Sequence, residues 1–182
     1  MSDCPLLYFY GTLMHPHVLF TVLFGESKIA HPRSFEHAAV LCKHHTRYPI
    51  HNIPYPAMIP DESAASAGVL GMVTSVHELA AQIGLSVDTI VQRLDRFEGS
   101  EYRRILVNVE LAVGRDGYGA ADGYGATSLV SETVWKKYAG EKDAVQAWAY
   151  EWIGGSGDDV LVKGKGDWDY DNFVKNKLST YI

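Results

Sequence analysis

Apolar and polar positions along this chain fall into short blocks that switch between strand-like alternation and helical spacing. Leu6–Tyr10 (LLYFY) is a compact apolar and aromatic run between Pro5 and Gly11, the mark of a buried strand. Gly11-Thr12-Leu13-Met14 turns the chain, and His17–Phe24 predicts a short helix stopped by Gly25. Glu36–Cys42 and Ala67–Thr74 read as strands, and Gly68 and Gly71 in the second allow a bulge or the close approach of another backbone. Between them, Pro49, Pro54, Pro56 and Pro60 point to extended loop and edge strand. Ser75-Val76-His77-Glu78 has the form of a capping box and opens a short helix that Gly84 ends. Arg104–Val113 alternates cleanly, with Ile105, Val107, Val109, Leu111 and Val113 on one side. Val145–Ile153 predicts another strand, and Trp168–Leu178 a terminal helix docked by Trp168, Phe173, Val174 and Leu178. The segment between them carries DGYGA at 116–120 and again at 122–126, a low-complexity flexible loop. It lacks the glycine register and following helix of a dinucleotide fingerprint.

The stretch that organises the rest is Ser86–Tyr102 (SVDTIVQRLDRFEGSEY). Val87, Ile90, Val91, Leu94 and Phe97 recur at helical spacing, Ser86 is a fitting N-cap, and Gly99 supplies the stop. Glu98 falls on the same face, between Val91 and Leu94 on the helical wheel. Three readings are open for it: a last-turn side chain that swings into water, a buried partner of Arg103 or Arg104, or a desolvated carboxyl. In the third case its pKa is raised, which suits an acid that also serves as a base near neutral pH.

Composition narrows the function. A length of 182 residues, with 47% apolar and 21% charged, fits one folded domain with a real core. A net charge of −6 without a basic cluster argues against nucleic-acid binding. The first residues lack the basic and apolar regions of a secretion signal, and no apolar run is long enough to span a membrane. Cys4 and Cys42 cannot form a disulfide framework; reduced thiols and a cytoplasmic location are expected. All eight histidines precede residue 78 without ligand spacing, so no metal is expected. Cys42 reads as a small buried hydrophobe rather than a nucleophile beside His44 or His45. The irregular order of strands and helices predicts an α+β fold with a mixed or antiparallel sheet, possibly closed. The turn Tyr10-Gly11-Thr12-Leu13, where a buried strand ends, is either an ordinary connection or a cradle of unpaired N–H groups for an anion or oxyanion.

In sequence order, YFYGTLM, YPAMIP, AGVLGMV and LDRFEGSEYRR resemble the γ-glutamylcyclotransferase-like superfamily, in its avirulence-induced-gene-like branch of plants and fungi. The resemblance covers about residues 6–113, and the strand at 145–153 less distinctly. It implies a small mixed β-barrel flanked by helices. It also implies that the loop matching Tyr10–Leu13 holds the γ-glutamyl group through main-chain groups and that Glu98 is the acid/base. The expected reaction releases 5-oxoproline and a free amine from a γ-glutamyl amine or peptide, with no cofactor. Tyr10, Gly11, Thr12, Leu13, Met14 and Tyr102 are the expected substrate-binding residues, Tyr102 serving either as a hydrogen-bond donor or in packing. A non-catalytic binding module that keeps the pocket, and an amidase releasing glutamate, are the alternatives. The 114–143 segment and the tail from Gly154 carry no motif of the family.

Overall fold

The structure, a computed structural model, describes residues 6–25, 35–64, 68–112, 128–164 and 166–181. The described residues hold seven strands: β1 (Leu6–Phe9), β2 (Ala38–Cys42), β3 (His45–Pro49), β4 (Pro56–Pro60), β5 (Val69–Ser75), β6 (Tyr102–Leu111) and β7 (Ala144–Trp152). Five of them close a barrel in the order β1-β5-β2-β6-β7. The β1–β7 seam is parallel, with Leu7 opposite Trp148, and the other pairings are antiparallel. The fold is therefore α+β around a closed mixed barrel.

Period-two patterning decides which residues fill the barrel. Tyr8, Val40, Val73, Val107, Val109, Ala147 and Ala149 share one buried cluster, and small residues on β7 leave room for aromatic ones on β1. Gly71 shows the fit. A Cβ there would lie 2.3 Å from the Phe9 carbonyl oxygen and 2.6 Å from the Tyr8 ring, so the ring occupies the space a side chain would need. The Tyr8 hydroxyl donates to the Val69 carbonyl at 2.8 Å, which ties the buried ring to β5.

The opposite face of β1, with Leu7 and Phe9, packs against helices. These are α1 (Pro16–Phe24), α2 (Val76–Ile83), α3 (Val87–Glu98) and α5 (Tyr170–Asn176). Ser75 caps α2 by accepting from the Glu78 N–H at 3.3 Å, and Gly84 ends it in the left-handed region. Trp168, Tyr170 and Phe173 of the C-terminal segment are buried in this second core.

Several expectations change. The proline-rich segment keeps its extended loop and edge strand, and the structure adds the partner, since β4 pairs with β3 in a two-stranded sheet. Pro49 opposes Pro56 and His45 opposes Pro60, so the prolines sit at the ends of the ladder, where a missing donor costs least. Residues 128–139 form α4 (Ser128–Ala139), which the sequence did not suggest. The expected terminal helix is broken at Lys177 into α5 and α6 (Leu178–Tyr181). Phe97, assigned to the core face of α3, is 37% exposed. The DGYGA loop lies outside the described residues. Among those residues, no helix is long and apolar enough to cross a membrane.

Candidate active site

A cavity of about 590 Å³ opens where β1 ends, between the turn at 11–14, the start of β4 and the end of α3. Its floor is the turn. Thr12–Met14 form a 3-10 helix closed by Met14 N–H to Gly11 O and His15 N–H to Thr12 O, both 3.0 Å. Those bonds employ the N–H groups of Met14 and His15. The N–H groups of Thr12 and Leu13 stand at the head of the turn, where a helix offers donors no internal partner. Gly11 is required by its neighbour, because a Cβ there would sit 3.0 Å and 3.1 Å from Pro56 Cγ and Cδ. Tyr10, Gly11, Thr12 and Leu13 line the cavity. Met14 does not: its side chain turns away into the helix-covered core and is 1% exposed, which corrects its assignment as a substrate contact. Successive side chains of so tight a helix point in different directions, so the turn cannot present them all to one cavity.

Glu98 is the last residue of α3 and lines the same cavity. Ile90 and Leu94, fully buried, fix the face on which it stands four residues beyond Leu94. Ser86 caps the other end by accepting from the Thr89 N–H at 3.1 Å. Gly99, at φ +68°, ends the helix in a conformation that side chains rarely adopt, and so keeps Glu98 at the rim of the barrel. The Glu98 side chain is half-buried. Among the described residues it meets neither a cation nor a hydrogen-bond donor, and Arg103 and Arg104 pair elsewhere, with Glu151 and Asp95. Burial alone therefore acts on it, and pushes its pKa up to about 8.

Phenols surround the carboxyl. Tyr10, Tyr55, Tyr102, Tyr150 and Tyr181 are all held above the ordinary tyrosine range, first by burial and then, among other neighbouring charges, by the proximity of Glu98. At neutral pH they are donors. Tyr10 donates to the Tyr150 carbonyl at 2.5 Å, Tyr102 to the Pro56 carbonyl at 2.8 Å, and Tyr150 to Asp95 at 2.7 Å. The Tyr102 hydroxyl is thus committed to tying β6 to β4, while its ring faces the cavity. The Tyr181 hydroxyl lies 3.3 Å from Thr12 Oγ1, so α6 reaches over the turn. Tyr55, Tyr150 and Tyr181 escaped sequence reasoning, and no local pattern marks them; they come to the cavity only through the closed barrel and the returning tail.

Beneath the turn lies a second group the sequence did not single out. Arg47, on β3, is 2% exposed and donates to the Tyr10 carbonyl at 2.5 Å and to the Leu70 carbonyl at 3.2 Å. Its other nitrogens clasp Asp167 of the tail, Nε at 2.6 Å, and the guanidinium lies 5.6 Å from the centre of the Trp168 ring. The fork geometry of Arg lets one side chain join the turn, the barrel and the tail. The sequence carries no local sign of it, since Arg47 follows the polar run Lys43-His44-His45-Thr46.

The other candidate chemistry stays out of the cavity. Cys42 is fully buried and burial pushes its thiol up to about 12, although His45 Nδ1 lies 3.5 Å from it. Among the described residues, no three His, Cys, Asp or Glu side chains gather as a metal site.

The closed mixed barrel and the order of its elements define the fold class, and the comparisons agree on it. A family model for gamma-glutamyl cyclotransferase, AIG2-like, matches residues 7–170, and the chain belongs to that family. Two solution structures from Arabidopsis thaliana share the fold. At5g39720.1 is 18% identical with a TM-score of 0.51, covering 100% of this chain and 89% of its own. At3g28950.1 is 17% identical with a TM-score of 0.52, covering 100% and 79%. No curated protein matches the chain significantly.

Proposed function

We propose that the protein is a γ-glutamyl cyclotransferase that converts a γ-glutamyl amine or peptide to 5-oxoproline and a free amine, with Glu98 as the proton carrier. The observation behind this reading is the Glu98 carboxyl, half-buried and, among the described residues, without a counter-charge, on the same cavity as the head of the Gly11–Leu13 turn.

The reaction is intramolecular. The α-amine of the γ-glutamyl group attacks its own γ-carbonyl carbon, a C–N bond forms, and the bond to the outgoing amine breaks. Holding the chain folded supplies much of the rate, so the cavity's shape counts as heavily as its chemistry. The bound substrate starts as an ammonium, and two protons must pass from the attacking to the departing nitrogen. Ionised Glu98 takes the first, freeing the nucleophile, and delivers it to the departing nitrogen as the intermediate collapses. It then carries the second along the same path, and the product amine leaves as an ammonium. A carboxyl with a pKa of about 8 is close to the ordinary α-amino value, so the exchange with the attacking nitrogen is nearly balanced. An ammonium beside Glu98 also provides the counter-charge that Glu98 does not find among the described residues. The N–H groups of Thr12 and Leu13 suit the oxygen that becomes anionic between the two steps.

Incubation with γ-glutamyl amides, with products resolved by mass spectrometry, tests the proposal. It predicts 5-oxoproline plus free amine; free glutamate as the product would replace cyclisation with hydrolysis. Gly11→Ala gives a finer test. Its methyl group forces Pro56 back by a few tenths of an ångström. We expect roughly a tenfold fall in kcat/KM, in keeping with the sensitivity of positioned reactions, and a stability change below about 1 kcal/mol. Full activity in that variant would remove the turn from the reacting geometry.

A further inference from the structure

Resting on the cyclotransferase reading, we propose that Tyr181 is a positioning residue of the reaction: its phenol holds the Thr12 hydroxyl, and through it the head of the turn whose N–H groups meet the developing oxyanion.

The turn does little to hold its own head. Gly11 stands at the capping position and has no side chain with which to cap. The two bonds that close the turn employ the N–H groups of Met14 and His15, downstream of Thr12 and Leu13. Support comes instead from distant parts of the chain. Arg47 holds the Tyr10 carbonyl just before the turn. At the turn itself, Thr12 Oγ1 lies 3.3 Å from the Tyr181 hydroxyl. That is long for two hydroxyls, as positioned groups often are before substrate fills a site. Thr12 is buried, so water offers its side chain little alternative.

The tail brings the phenol there on a short arm with a fixed base. Trp168, Tyr170 and Phe173 are buried in the helix-covered core. α5 ends at Lys177, where φ of −124° departs from helical geometry, and α6 runs for only four residues. The Thr180 N–H donates back to the Lys177 carbonyl at 3.1 Å across that bend. Phe173 meets the Tyr181 ring edge-on, with centroids 5.3 Å apart and planes at 85°. The ring is therefore gripped by the core and the hydroxyl by the turn. Ser179 and Thr180 are exposed, and Leu178 and Tyr181 are only half-buried, so α6 adds little to the stability of the fold. Tyr181 lines the same cavity as Glu98. Glu98 moves protons; Tyr181 keeps the donors of the turn in place.

Tyr181→Phe tests this, because it keeps the ring and its contact with Phe173 and removes only the hydroxyl. The substrates are γ-glutamyl amides of short alkylamines, with 5-oxoproline as the product followed. The variant's kcat should fall about fivefold, the worth of one neutral hydrogen bond. Its KM should stay within about twofold of wild type, because the donors count most once the oxyanion forms. The urea midpoint should not move. Thr12 supplies the second arm of the test. In a Thr12→Val background, where the partner hydroxyl is already gone, Tyr181→Phe should cost nothing further. In Thr12→Ser, which keeps a hydroxyl, it should again cost about fivefold. Full kcat in Tyr181→Phe, a loss that recurs undiminished beside Thr12→Val, or no loss beside Thr12→Ser overturns the role of Tyr181 and leaves the cyclotransferase reading standing. A urea midpoint that falls together with kcat also overturns it, by making the hydroxyl a prop of the fold. No 5-oxoproline from wild type with any γ-glutamyl amide overturns the cyclotransferase reading and this inference with it.

Discussion

Glu98→Gln should lower 5-oxoproline formation by at least a hundredfold, and by up to about ten-thousandfold, the range over which a positioned acid/base acts. Glutamine keeps the shape and can still donate a hydrogen bond, but it cannot exchange a proton with the attacking nitrogen. The same substitution should alter stability in the opposite direction. The Glu98 pKa is about 8 in the folded chain against an ordinary 4.5. Between those values the native state keeps a proton that the unfolded chain releases. Stability therefore falls as pH rises from about 4.5 through about 8, and the glutamine variant lacks that fall. Above pH 8 the variant should be the more stable by about 2 kcal/mol, a figure discounted because Glu98 is only half-buried and water reaches the cavity. Urea melts of both proteins at pH 5.5 and pH 9 check this. A variant that loses activity and also loses stability at pH 9 would mark Glu98 as a structural residue.

Arg47→Met should produce the second large effect, by a different route. It strips donors from the buried Tyr10 carbonyl and the part-buried Leu70 carbonyl and cuts the clasp on Asp167. Each stranded carbonyl costs about 1–3 kcal/mol, so a loss of about 3 kcal/mol and a Tm lower by about 10 °C are expected. Arg47→Lys should recover part of the stability but little activity, since an ammonium reaches one acceptor and cannot fork between turn and tail. Asp167 is more than half exposed. Asp167→Asn should therefore cost only about 1 kcal/mol. In both Arg47 variants, KM should rise as the turn loses its anchor. An Arg47→Met protein of normal stability and KM would show that the turn holds its shape unaided.

What could be read beforehand follows the range of the interactions. The strand into Gly11 and the helix that ends at Gly99 depend on neighbours within a few residues, and period and capping suffice to find them. Glu98 was visible because it occupies an apolar position on a periodic helix, although the wheel placed Phe97 in the core as well. There the model of an endless helix fails: the core beneath α3 ends at Leu94, and the last turn overhangs the cavity. α4 was missed because its described core contacts, Val134, Trp135 and Ala139, make too short a face to stand out from a glycine-rich approach. Arg47 with Asp167, and Thr12 with Tyr181, join positions 120 and 169 residues apart. Nothing local distinguishes such residues from surface polar ones. The tail from Gly154 onward carries no motif of the family, yet it supplies Tyr181 to the cavity wall and Asp167 to the clasp on Arg47.

In the folded protein the Glu98 carboxyl is half-buried on the cavity it shares with the turn, and that burial holds its pKa up to about 8. Carbon-13 NMR of glutamate-labelled protein, with Glu98→Gln as the assignment control, follows that carboxyl directly as pH is varied. The account predicts a resonance, absent from the variant, whose midpoint is near pH 8. A midpoint near 4.5, in the company of the surface glutamates, would contradict it.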